Sequence, residues 1–418
     1  MNPGDLVKLR LAREELECTL LESYDSSIYL VKLKSGYNIG IPKENVLGFE
    51  ILKKYQSGQK KTEVPKSTGL PMLGLIVTGG TIASKLDAKT GAVSALTDVS
   101  EFARHYPKLF EMTNVKIAVP FMKLSENMGP EDWLVLAGVI KKMLDDNEIK
   151  GIIITHGTDT LHYTSAALSF FLANLNKPVV LTYAQRSIDR GSSDAELNLE
   201  CAVRFALSDC AEVVIVGHAD MNDDYCYALR GTKVRKMHSS RRDAFKAINC
   251  EPLAKVWPDK VEFLSQFKAR HSGASEIDAV FNDKVALVKF YPGQSSDIID
   301  YYRMHGFKGL VIEMLGLGHV AAGDSVNSWV PALKKAIREG MVICGACQTI
   351  YGRLNPNVYS TGREIEKAGV IFLEDMLSEC AFVKLGWVLG HRGWMSAEKA
   401  REKMLENVAG ELNELLSE

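Results

Sequence analysis

The chain has 418 residues, 46 % of them hydrophobic and 24 % charged, and a formal net charge of −2 at pH 7. These are the proportions of an ordinary globular protein with room for two or three domains, which excludes a disordered or low-complexity chain. The near-zero charge argues against a protein that grips nucleic acid unaided, because phosphate neutralisation dominates that affinity.

Residues 1–55 predict a small β domain of SH3-like barrel type. Asp5 to Leu11 alternates, Glu17 to Leu21 and Ser27 to Leu33 are further short strands, and Tyr24-Asp25-Ser26-Ser27 and Lys34-Ser35-Gly36-Tyr37-Asn38 supply turns. Residues 56–70 are polar and Gly/Pro-punctuated, and read as a linker. An α/β body is expected beyond it, with a large unit over 71–265, a second linker over 266–283 and a smaller unit over 284–418. In the large unit, Pro130-Glu131-Asp132 opens a helix with Trp133, Leu136, Ile140 and Leu144 on one face. Val179 to Tyr183 and Glu212 to Gly217 are buried strands around a helix over Asp194 to Leu207, so parallel sheets with crossover helices are expected. The smaller unit starts at Lys284-Val285-Ala286-Leu287-Val288, continues through Gly309 to Glu313 and Met341 to Ile343, and ends in a helix over Ala397 to Leu415.

Two Thr-rich stretches carry the chemistry. Thr78-Gly79-Gly80-Thr81 follows the apolar run Leu73 to Val77, and His156-Gly157-Thr158-Asp159-Thr160 follows Ile152-Ile153-Ile154. In an open α/β sheet the carboxyl ends of strands are where ligands bind, so both loops are placed to face one substrate. A Thr hydroxyl is a weak nucleophile that needs a base, an amide under attack yields an oxyanion that needs N–H donors, and Asp159 supplies a carboxylate. Acyl transfer from an amide suits this set. Each stretch alone also suits an ordinary strand-to-helix turn or helix cap; the two together, each after its own β-branched run, are more specific.

These segments resemble the two signature loops of the bacterial-type L-asparaginase family, and the likeness runs in order from about Leu73 to about Asn407. Ser125-Glu126-Asn127-Met128 is similar to that family's substrate-gripping segment, with Asn in place of its usual Asp, and Arg235-Lys236-Met237-His238-Ser239 is similar to the segment carrying its catalytic Lys. By that resemblance Thr78 is the nucleophile. Thr158, Asp159 and Lys236 form a second group, in which Lys236 draws a proton from Thr158 or polarises it. Gly79, Thr81, Ser125, Glu126 and Gly157 bind substrate, and no metal is implied. Which group acts as the base is open at this level, since an ammonium beside a carboxylate can have its pKa moved either way.

The appended β domain makes the chain resemble more closely the asparaginase-like subunit of the archaeal glutamyl-tRNA(Gln) amidotransferase. That resemblance implies an amidase releasing ammonia from Gln or Asn. The partner it implies is a tRNA-binding subunit of E type, expected to use ATP and Mg to convert Glu-tRNA(Gln) to Gln-tRNA(Gln). No cofactor is implied in this chain, and the assembly implied is a homodimer within a heterotetramer. One departure stands out. Asparaginases carry a Tyr in the mobile loop after the first Thr loop, and Lys85 to Val93 has none, which suits a site completed by a partner. A free-standing L-asparaginase, a non-catalytic scaffold and a related amino-acid racemase are the alternatives; the last would use paired Cys, which are absent from the Thr loops. The eight Cys lie in apolar stretches, as reduced thiols do. Cys344-Gly345-Ala346-Cys347 has metal-type spacing but no second pair and no adjacent His, and reads as core. With no apolar run long enough to span a bilayer and no N-terminal leader, the expected location is the cytoplasm.

Overall fold

A computed structural model describes residues 1–23, 25–34, 37–54, 67–86, 93–96, 99–172, 174–188 and 192–415, with backbone alone at 84–86, 93–95 and 99–101. Alternating side chains build the N-terminal sheet from β1 (Leu6–Arg10), β2 (Glu15–Leu20), β3 (Ile28–Leu33), β4 (Asn38–Pro42) and β5 (Gly48–Lys53), all antiparallel in the order β4-β3-β2-β1-β5. The two-residue period puts Val7, Leu9, Cys18, Leu20, Val31 and Ile41 on one face as a small core, with Val7 opposite Cys18 and Leu20 opposite Val31. Strands β4 and β5 lie beyond the strands read from sequence, and Gly40, Pro42 and Gly48 weaken the side-chain alternation that marks a strand there. The expected turns fall partly on residues 24, 35 and 36, and the expected linker largely on 56–66, which lie outside the described residues.

The next segment runs β6 (Met72–Val77), β7 (Ser84–Leu86), β8 (Val93–Ala95), α1 (Val99–His105), α2 (Pro107–Met112), β9 (Asn114–Ala118), α3 (Pro130–Leu144), β10 (Ile149–Thr155), α4 (Leu161–Phe171), β11 (Val179–Thr182), α5 (Ala195–Ala206) and β12 (Val213–His218). Then come β13 (Cys226–Arg230), β14 (Val234–Lys236), β15 (Phe245–Ala247), β16 (Ala254–Val256) and β17 (Val261–Phe263). Eight of these strands form one sheet in the order β17-β16-β13-β12-β11-β10-β6-β9. The expectation of a parallel sheet holds only from β9 to β12; β13, β16 and β17 add antiparallel. The cause is chain length between strands: residues 219–225 suffice for a hairpin from β12 to β13 but not for a crossover helix.

Helix α3 starts where expected. Pro130 occupies the first turn, the Asp132 carboxylate accepts the Gly129 N–H at 3.0 Å, and Trp133, Leu136, Ile140 and Leu144 are buried. The last segment comprises β18 (Val285–Lys289), α6 (Asp297–Met304), β19 (Gly309–Met314), α7 (Val330–Arg338), β20 (Val342–Cys347), α8 (Ser360–Lys367), β21 (Ile371–Phe372), α9 (Ser378–Gly390) and α10 (Ala397–Leu405). Its four strands are parallel in chain order. Helix α9 is buried along nearly its whole length and packs on α4, with Phe170 stacked on Trp387 at 5.6 Å, so one hydrophobic core joins both sheets. Burying each of these two rings contributes roughly 1.5–3 kcal/mol. Helix α10 stops ten residues short of the expected Leu415. The buried Lys384 ammonium takes the carbonyls of Met404 and Glu406 and the carboxylate of Glu411, and the chain must turn back to deliver them.

Candidate active site

Strands β6 and β10 are parallel neighbours with Val77 opposite Thr155, so Thr78 and His156 leave the sheet side by side at its carboxyl edge. From β6 the chain moves to β9 on one side and later to β10 on the other, which makes the β6/β10 boundary the topological switch point where a crevice opens. Three loops converge there. Gly79 and Gly80 have φ of +132° and +82°, and a Cβ at Gly80 would lie 2.5 Å from the His156 carbonyl oxygen, so only glycine lets the first Thr loop lie on the second. A Cβ at Gly157 would lie 2.8 Å from Ser125 Oγ, which brings in the third loop. Ser125 is buried: its hydroxyl accepts the Asp159 N–H at 3.2 Å and its carbonyl accepts the Thr160 hydroxyl at 2.7 Å. Glu126 is exposed beside it, and Thr81 is half-buried at the start of a single 3-10 turn.

Thr78 is 0 % exposed, and its hydroxyl donates to the Thr155 carbonyl at 2.8 Å. Its own carbonyl accepts the Lys123 N–H at 3.0 Å. Lys236, on β14, donates from Nζ to Thr158 Oγ1 and to Asp159 Oδ1, both at 2.7 Å. The Lys236 side chain is 12 % exposed and that of Asp159 is 64 % exposed, so the pair spans the wall and the mouth of the crevice.

His156 anchors the second Thr loop from beneath. Its Nδ1 lies 2.7 Å from the Gly157 carbonyl, which can only accept, so Nδ1 carries the hydrogen and Nε2 accepts the Thr164 hydroxyl at 2.9 Å. Thr164 Oγ1 in turn accepts Trp133 Nε1–H at 3.1 Å. Burial pushes the His156 pKa down to about 4, keeping the ring neutral as this chain of bonds requires. His162, just past the loop on α4, is pushed down to about 3 by burial and by the positive charges of Arg235 and Lys236.

The structure thus joins Thr158, Asp159 and Lys236 directly and packs Thr78-Gly79-Gly80, Ser125 and Gly157 against one another. The support from Trp133 and Thr164 escaped the sequence reading: Trp133 was legible only as a core residue of α3, and Thr164 carried no signal beyond its place in the first turn of α4. The Tyr-less loop is outside the described residues at 87–92. Among the described residues no group of three or more His, Cys, Asp or Glu could hold a metal ion, and no helix is long and apolar enough to cross a membrane.

Residues 72–269 match the asparaginase N-terminal family and residues 284–404 the glutaminase/asparaginase C-terminal domain. Residues 1–52 match the GatD N-terminal domain. Among solved structures, the thermostable L-asparaginase from Thermococcus kodakarensis superposes with a TM-score of 0.72 at 31 % identity, covering 82 % of this chain and 99 % of that one. L-asparaginase I from Vibrio cholerae gives 0.70 at 27 % identity, with 82 % and 100 % covered. The D-type subunit of glutamyl-tRNA(Gln) amidotransferase from Thermococcus kodakarensis is 47 % identical over 98 % of this chain and 94 % of its own length. The D-type subunits from Archaeoglobus fulgidus and Methanococcus maripaludis are 43 % and 41 % identical, over 98 % and 100 % of this chain and 95 % and 99 % of their own. With all three families matched in order and near-complete coverage on both sides, the chain belongs to the family of D-type glutamyl-tRNA(Gln) amidotransferase subunits, enzyme subunits built on an asparaginase domain.

Proposed function

We propose that the chain hydrolyses the side-chain amide of Gln or Asn through an acyl-enzyme on Thr78. The ammonia goes to a tRNA-binding E-type subunit that uses ATP and Mg to turn Glu-tRNA(Gln) into Gln-tRNA(Gln). The observation that carries the reading is the Lys236 ammonium held at 2.7 Å from both the Thr158 hydroxyl and the Asp159 carboxylate, on the loop packed against Thr78. Because Lys236 donates to Thr158 Oγ1, the Thr158 hydrogen is free to point into the crevice. The relay can therefore take up the proton that Thr78 gives up as its Oγ1 attacks the amide carbon and deliver one to the leaving amine as the C–N bond breaks; in the second half it takes a proton from the attacking water and returns one to Thr78 Oγ1 as the acyl ester breaks.

Thr78 must first release the Thr155 carbonyl, since its hydroxyl hydrogen is spent there. A buried, tied nucleophile in a chain whose first loop lacks the usual Tyr supports a site that stays quiet until a partner completes it through Lys85–Val93. The domain division follows the same reading: a barrel-like docking module over 1–55, a linker, a catalytic unit over 71–265, a second linker over 266–283 and a smaller unit from 284. The working assembly is a cytoplasmic homodimer within a heterotetramer.

The test measures ammonia release from Gln and Asn by the chain alone, with the partner subunit, and with partner plus charged tRNA, using Thr78→Ala as the zero. The expected result is a low rate alone, a rise with each addition, and none from Thr78→Ala. Equal rates in all three conditions would leave a plain asparaginase, and a fully active Thr78→Ala would remove the acyl-enzyme.

A further inference from the structure

The hairpin that carries Lys236 is seated on the C-terminal segment of the same chain. Strand β14 pairs with β15, Lys236 opposite Phe245, and its two-residue period sends Lys236 toward Thr158 while Arg235 points the other way. Arg235 Nε meets Glu379 Oε1 at 3.0 Å, in the first turn of α9. Two residues earlier, on the same side as Arg235, Lys233 Nζ lies 2.5 Å from Asp375 Oδ2, both side chains fully buried. Neither carboxylate is loose. Asp375 also accepts the backbone and side-chain N–H groups of Asn413 at 3.0 and 2.8 Å. Glu379 sits beside Ser378, whose hydroxyl is 2.6 Å from Glu313 Oε1 and 3.3 Å from Glu379 Oε2. His162 Nε2 is 3.8 Å from Glu379, but the ring is held neutral, so it fills space there rather than pairing.

Three cations, Lys233, Arg235 and Lys236, thus fall within four residues, and only Lys236 turns toward the crevice. Without opposite charges behind them they would repel one another and free the strand. The two carboxylates, four residues apart on the C-terminal segment, neutralise the rear pair and fix where the front one stands.

We propose that Glu379 and Asp375 are positioning residues for Lys236: their ion pairs to Arg235 and Lys233 set β14, so that amide hydrolysis depends on the seat between the two halves of the chain. This rests on the reading that Lys236 works on Thr158. A Lys236 ammonium drawn back by about 1 Å loses its simultaneous 2.7 Å contacts with Thr158 and Asp159, and misplacement of that size costs up to about a hundredfold in rate.

The test compares Glu379→Gln, Arg235→Met, the double variant, and the charge-exchanged pair Arg235→Glu with Glu379→Arg. It reads kcat and KM for ammonia release from Gln by the full complex, with thermal midpoints alongside and Lys236→Met in parallel. The expected result is a fall in kcat of about tenfold or more for either single variant with KM little changed, and a double variant no worse than the singles, because residues of one unit are non-additive. The exchanged pair should recover part of the rate, and this recovery decides the matter if a single variant folds poorly. Wild-type kcat in Glu379→Gln, losses that multiply, or an exchanged pair that folds yet recovers nothing would each overturn the proposal. If Lys236→Met itself keeps the rate, the catalytic reading fails first; if Lys236→Met is inactive and Glu379→Gln is not, only the positioning claim fails.

Discussion

Replacing Gly80 with Ala tests whether the two Thr loops must touch. Gly80 holds φ +82°, where an L side chain costs about 1–2 kcal/mol. The added Cβ would stand 2.5 Å from the His156 carbonyl oxygen and 2.6 Å from Gly157 N, while real Cβ contacts stay beyond 3.0 Å, and both obstacles are backbone. The loops must therefore part by about 0.5 Å, carrying Thr78 away from Thr158. With misplacement near 1 Å costing up to about a hundredfold, kcat for ammonia release should fall by roughly ten- to a hundredfold. Stability should fall by about 1–2 kcal/mol or somewhat more in chemical denaturation, a loss that leaves the protein folded. Gly138→Ala is the matched control: it lies on the exposed face of α3 with nothing within 4 Å, and should keep activity while gaining about 0.5–1 kcal/mol. Wild-type kcat in a Gly80→Ala protein that shows the stability loss would refute the idea that contact between the loops sets the chemistry.

Two further outcomes follow from the site. Asp159→Asn and Lys236→Met should each remove most ammonia release, with the double variant little worse than either, because Lys236 serves Thr158 and Asp159 from one atom; fully multiplicative losses would mean that the two act independently. The neutral buried histidines predict acid lability with a definite sign. His156 and His162 titrate at about 4 and about 3 when folded, against an ordinary 6.5 when unfolded, so below 6.5 the unfolded chain binds protons that the native state refuses. Stability from this source is complete above pH 6.5 and lost as pH falls toward 4, with a slope of up to about 1.4 kcal/mol per pH unit for each ring. Urea midpoints at pH 7, 6 and 5 measure it, and a His156→Gln variant should flatten the slope; an unchanged slope would place the titration elsewhere.

The readings that came from sequence were those in which neighbours along the chain decide the outcome. Alternation in Leu6–Arg10, the Pro130 start of α3, and glycines following β-branched runs are local patterns, and each has the structure its pattern calls for. The pairing of Thr158 with Asp159 needed no fold, since they are adjacent; that Lys236 reaches them from 78 and 77 residues away was supplied by family resemblance and took the β14–β15 hairpin to realise. What only the tertiary structure decided lies where distant segments share a buried charge or a close backbone approach. The antiparallel half of the large sheet, the early end of α10 around Lys384, the burial of Thr78 against Thr155, and the clamp of Asp375 and Glu379 on Lys233 and Arg235 are all of this kind. A charge taken out of water must be met by a partner, and which partner meets it depends on what the whole fold brings within 3 Å rather than on spacing along the chain.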